Sequence, residues 1–189
     1  GVGADTPFAI AAQIDSSAGL SAQITGTATP GSGTVELAAT GQLPLGLANR
    51  ALAPRSISGT LGFDLALSGA PSLENLSGQL RTSGARVTLP LLQTSLEGVS
   101  ADARLSGGRL SLDVDANLAT GGTLGAAGTI ALTQAGFPAQ ITLSGRSLRL
   151  VDPTLYSALV DTADITLAGP LTGALRVGGA ITLGPGEVN

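Results

Sequence analysis

The chain has no cysteine, methionine, tryptophan, histidine or lysine, and aromatic residues make up only 2% of it, as three phenylalanines and one tyrosine. Without cysteine there are no disulfides and no thiolate chemistry; the compartment stays open, because many envelope proteins also lack it. Without histidine, cysteine or lysine the usual general bases and nucleophile activators are missing, leaving carboxylates, hydroxyls, arginine and Tyr156. An enzyme is not expected, nor is a cofactor. The net charge is −4 and all nine basic residues are scattered arginines, which give no basic stripe for nucleic acid. No apolar run approaches the roughly 18 residues of a membrane-spanning helix, and no charged segment followed by an apolar one opens the chain. Scarce aromatics also deny a compact globule its usual filling.

What is present is 28 glycines and 43% hydrophobic residues, mostly Leu, Ala, Val and Ile. The pattern is plainest over Ala101 to Leu132. From Arg109 to Leu118, Leu110, Leu112, Val114, Ala116 and Leu118 alternate with Arg109, Ser111, Asp113, Asp115 and Asn117. That is a strand with one apolar side. Gly107-Gly108 supplies a two-residue turn with φ > 0 at both positions, pairing Leu105 with Leu110, Ala103 with Leu112 and Ala101 with Val114. A two-residue turn at Gly121-Gly122 would instead set Leu118 opposite Gly125 and turn Leu124, Ala126, Ile130 and Leu132 to the wrong side. An odd-length loop or bulge is therefore expected between Leu118 and Leu124.

The rest of the chain reads as more strands. Phe8 to Ile10, Leu20 to Ile24 and Val35 to Ala39 are separated by Thr25-Gly26, Pro30-Gly31 and Thr40-Gly41. Leu45, Ala48 and Leu52 stand at helical spacing between Pro44 and Pro54, a short helix or turn over a sheet end. Leu61, Phe63, Leu65 and Leu67 alternate with small or polar residues; Pro71, Ser77-Gly78 and Ser83-Gly84 read as turns, and Pro90 ends the strand at Val87 to Leu89. Strands follow at Gln140 to Leu143 and Ser147 to Leu150. Asp152-Pro153, with Leu155, Ala158 and Leu159 behind it, reads as a helix start. Ile165 to Leu167, Leu175 to Val177 and Ala180 to Leu183 complete the pattern. The Ser-Gly and Thr-Gly pairs recur irregularly, as in a meander rather than a strict repeat. No domain boundary is visible, so residues 1–189 read as a single β-rich segment. It opens in mid-pattern, as a piece of a longer protein.

Candidate chemistry is sparse. Asp113 and Asp115 point the same way from one strand, which alternation alone explains as a solvated polar face, with no metal required. Asp102 falls opposite Asp113, a mild repulsion that Arg104 can relieve diagonally. Asp161 and Asp164 suit a turn-and-cap role at the end of the expected helix. Gly122, Gly125 and Gly128 lack the strand and helix context of a nucleotide fingerprint and suit a sheet that needs room. The apolar stripe has two readings, an ordinary sandwich core or a surface offered to lipid, and on pattern alone the core is the simpler.

The order of segments carries more information. Leu43-Pro-Leu, the Leu-Ala-Asn-Arg-Ala-Leu turn, Ile57-Ser-Gly-Thr-Leu, the run from Gly69-Ala-Pro-Ser-Leu to Ser-Gly-Gln-Leu80, Gly136-Phe-Pro-Ala, Leu148-Arg-Leu-Val-Asp and Leu167-Ala-Gly-Pro-Leu together resemble the late periplasmic part of the TamB family of translocation and assembly module proteins. The resemblance covers most of the chain. It implies an all-β, long, curled antiparallel meander, a β-taco with an apolar concave face and one or two short helical turns. It further implies a periplasmic location in a Gram-negative bacterium, an inner-membrane anchor helix outside this stretch, and a TamA-like outer-membrane barrel partner. The implied work is conduction of phospholipid toward the outer membrane and support of outer-membrane and autotransporter protein assembly. Phospholipid acyl chains would lie on Leu61, Phe63, Leu65 and Leu67, on Leu105, Leu110, Leu112, Val114 and Leu118, on Leu124, Ile130 and Leu132, and on Ile141, Leu143, Ile165, Leu167, Leu175 and Val177. The alternatives are a chaperone-like binder that pairs its sheet edge with nascent outer-membrane strands, and a structural β-solenoid with a closed core. A transmembrane barrel is disfavoured, because it would carry aromatic girdles.

Overall fold

A computed structural model describes residues 6–17, 19–90, 93–152 and 156–188. The strands are β1 (Phe8–Asp15), β2 (Ser21–Thr29), β3 (Thr34–Pro44), β4 (Ser56–Ser58), β5 (Thr60–Gly69), β6 (Leu76–Leu89), β7 (Thr94–Ser106), β8 (Arg109–Leu118), β9 (Thr123–Ala131), β10 (Pro138–Asp152), β11 (Tyr156–Pro170) and β12 (Arg176–Val188). All pairings are antiparallel and follow the order of the sequence, except that β3 pairs with β5 and the short β4 joins β6 alongside β5. The result is one open sheet running from β1 to β12. Between Pro44 and β4 the chain makes a 3-10 turn over Leu45–Ala48 and one α-helical turn over Asn49–Leu52, as the proline-flanked spacing predicts. Asn49 Oδ1 accepts the Ile57 backbone N–H at 2.7 Å and ties that turn to β4.

The Gly107-Gly108 hairpin has the expected register, with Leu105 opposite Leu110, Ala103 opposite Leu112 and Ala101 opposite Val114. Both glycines have positive φ. The next connection is of odd length: Asn117 pairs with Thr123 and Ala116 with Leu124, so Leu124, Ala126 and Ile130 return to the face of Val114. Other glycine signals act differently from the reading as turns. Gly26 and Gly41 lie inside β2 and β3, and Gly78 and Gly84 inside β6. Positive φ serves a strand bulge as well as a turn, and Gly84 sits where the β6–β7 register shifts between Thr82 and Ala85.

The expected helix after Asp152 does not form. β10 runs through Asp152, which pairs with Tyr156 at the start of β11, while Pro153 to Leu155 lie outside the described residues. Asp161 and Asp164 are therefore strand residues of β11, not caps. The segments at 140–143 and 147–150 are one strand, β10, with Ser147 at φ 50° opening the second of them.

Candidate functional site: the inner face of the sheet

Following the pairings from strand to strand assigns every side chain to one of two faces. One face carries Ile24, Leu37, Leu65, Leu80, Leu112, Leu143, Ile165 and their equivalents, and apart from Thr82 and Thr94 its described strand residues are apolar or glycine. The other carries Glu36, Asp64, Arg81, Asp102, Arg109, Asp113, Asp115 and Arg146 among Ser, Thr, Gln and Ala. The buried side chains among the described residues all lie on the apolar face: Ala85, Val99, Leu105, Ala116, Leu118, Ala139, Leu148 and Val160. Among the described residues no second sheet covers them. Burial confined to this face fits a sheet that curls with it inside, and the two-sheet sandwich core expected from pattern alone is not what forms.

The bend is built from irregularities in line across the strands. The register shifts in β6 between Thr82 and Ala85, in β7 between Glu97 and Ser100, and between β11 and β12 around Val160. Gly98 (φ 58°) and Ser147 (φ 50°) hold left-handed backbone on the same line, which the β8–β9 connection continues. Each bulge offsets the alternation by one residue and bends its strand. The two buried clusters sit on this line: Ala85, Val99 and Ala116 under Leu45, and Leu118, Leu148 and Val160 beside Leu124 and Leu150. Close backbone approach is part of the same design. A Cβ on Gly122 would stand 2.7 Å from both the Arg146 carbonyl and Leu148 Cα, so the Gly122, Gly125 and Gly128 series makes room in the sheet as its spacing suggested.

Of the expected lining residues, Leu61, Phe63, Leu65, Leu67, Leu105, Leu110, Leu112, Val114, Leu118, Leu124, Ile130, Ile141, Leu143, Ile165, Leu167 and Val177 lie in strands on the inner face. Leu132 and Leu175 fall in connections just outside β9 and β12. The same face also holds Leu37, Leu43, Leu76, Leu80, Leu96, Val99, Leu148 and Val160, which the sequence reading did not place there. Val99, Leu148 and Val160 stand beside the bulges, where counting alternate residues fails.

The outer face is polar and partly self-paired. Asp102 does lie opposite Asp113, but the relief comes from Arg81, whose Nε donates to Asp102 Oδ1 at 2.7 Å, rather than from Arg104. Arg86 Nη2 meets Glu97 Oε1 at 2.8 Å. Asp113 and Asp115 share this solvated face. Among the described residues no helix is long and apolar enough to cross a membrane.

Residues 111–189, from within β8 to the end of the chain, match the TamB C-terminal domain. Proteins of that kind act at the periplasmic side of the cell envelope in translocation and assembly, in association with a TamA-like partner. No curated protein and no solved structure is significantly similar to the chain. The late-TamB order of segments and the one-sided β-meander agree with that match, and from within β8 onward the chain is similar to the C-terminal domain of the TamB family.

Proposed function

We propose that the inner face is a trough for phospholipid acyl chains, and that the chain is a segment of an envelope-spanning conduit that also supports outer-membrane protein assembly. One observation carries this reading: inward positions from β1 to β12 are almost uniformly apolar, yet among the described residues no second sheet lies over them. Ten strand spacings of about 4.8 Å give a trough about 48 Å long, running across the strands along the line of bulges. Each acyl CH₂ leaving water contributes about 0.8 kcal/mol, with no catalytic residue needed. The lack of fixed polar groups on the face suits passage of many tails rather than recognition of one.

Leu112→Arg or Val114→Arg places a charge in the trough. Lipid co-purifying with the chain should then fall several-fold while the strand signal in circular dichroism is unchanged. Full lipid recovery in the folded variants would refute the trough.

A second reading, capture of nascent strands at an edge, is favoured by β12, whose Val177, Ile181 and Leu183 are 69%, 56% and 70% exposed. Photo-crosslinkers along β8 and along β12 separate the two readings. Acyl chains trapped at β8 support the trough; client peptide trapped at β12, with nothing at β8, supports edge capture.

A further inference from the structure

A cavity of about 450 Å³, within the usual range for ligand pockets, lies where the β6–β7 hairpin approaches the β8–β9 connection. It is placed where the two faces of the sheet meet. Arg86, Thr88 and Ser95 come from the outer face and Leu89 and Thr94 from the inner one, with Thr120 at the side. Two features there are unusual for this molecule. Thr94 Oγ1 is buried on the otherwise apolar face without a hydrogen-bond partner, a state that polar atoms avoid unless something else satisfies them. Arg86, on the outer wall, forms an ion pair at 2.8 Å with Glu97, which stands beside the cavity rather than lining it, and the two side chains are 57% and 43% exposed. A pair so exposed is weak, and a ligand carrying both charges can open it at little cost. The other ion pair among the described residues, Arg81 with Asp102, lies in mid-strand, where the sheet itself separates it from the inner face.

The geometry points to a seat for the zwitterionic headgroup of a phospholipid at this end of the trough. The phosphate pairs with Arg86, the ammonium group of an ethanolamine headgroup pairs with Glu97, an ester carbonyl accepts from the Thr94 hydroxyl, and the tails pass over Leu89 onto the inner face. Arginine suits the phosphate because its guanidinium donates two parallel hydrogen bonds. Glu97 disfavours a headgroup that carries only negative charge. The inference rests on the trough reading and adds headgroup preference to it.

The test incubates the purified chain with vesicles of equal parts phosphatidylethanolamine and phosphatidylglycerol, then identifies the bound lipid by mass spectrometry. The expected result is a preference for phosphatidylethanolamine of about three- to fivefold, the scale of an exposed charge pair. Glu97→Gln should move the ratio toward phosphatidylglycerol, Arg86→Gln should lower uptake of both lipids while the preference for phosphatidylethanolamine stays, and Arg81→Gln should change neither. Bound lipid with no headgroup preference, a preference that Glu97→Gln leaves intact, or uptake that Arg86→Gln leaves unchanged overturns the seat and spares the trough. A chain that takes up no lipid from either source overturns both.

Discussion

At the scale of single residues, position relative to the bend decides what a side chain is worth. Leu118 is 5% exposed in the cluster with Leu148 and Val160, whereas Leu112 is half-buried on the open floor. Leu118→Ala should cost about 2–4 kcal/mol, and Leu112→Ala less than about 1.5, because only the first leaves a cavity that neighbours enclose. Urea unfolding of the two variants checks this, and equal losses would mean that the floor is packed as a core. Glycine shows the same contrast. A Cβ on Gly128 would stand 2.7 Å from Ile141 Cα, while one on Gly84 would meet nothing within 4 Å. Gly128→Ala should cost about 1–3 kcal/mol through displaced backbone. Gly84→Ala has only its left-handed φ of 70° to oppose, about 1–2 kcal/mol. The glycine count was plain in the sequence, but whether a given glycine turns, kinks or makes room depends on which strand lies beside it.

At the scale of elements, the alternation within β8 and the Gly107-Gly108 turn were enough to pair β7 with β8 correctly, since both are local. The odd connection from β8 to β9 followed from parity, because only an odd loop returns Leu124, Ala126 and Ile130 to the apolar face. Removing Thr120 should therefore disrupt this pairing. A cysteine pair at Val114 and Ala126, which are direct partners in a chain with no cysteine of its own, should form a disulfide in the intact protein and fail to form once the loop is shortened. Thiol titration reads the outcome directly. Elements with broken alternation were harder to read. Asp152-Pro153 and the spacing of Leu155, Ala158 and Leu159 look helical, yet β11 begins at Tyr156, because ladder pairing with Asp152 and its neighbours outweighs a weak local start signal. At Ser147 and Val160 the alternation slips, and a slipped period leaves no trace in composition.

At the scale of the whole molecule, the accessible surface is 11384 Å², against about 8,200 Å² for a compact monomer of 18.4 kDa. Small-angle scattering should accordingly give a radius of gyration clearly above the roughly 16 Å of a compact chain this long. A value near that figure would indicate that the trough closes in solution. The excess surface is largely the consequence of a single sheet with no second layer. By itself the sequence determined that the protein is β-rich, that each strand has one apolar side, and how β7, β8 and β9 pair, because alternation and turn chemistry act between near neighbours. The resemblance in segment order supplied the family, which residues 111–189 bear out. Only the tertiary structure decided that all these apolar sides join in one continuous face, that bulges in line bend it, and that among the described residues no second sheet lies over it. Covering a face depends on contacts between residues far apart in the chain, and an apolar position has the same alternation whether another layer lies over it or not.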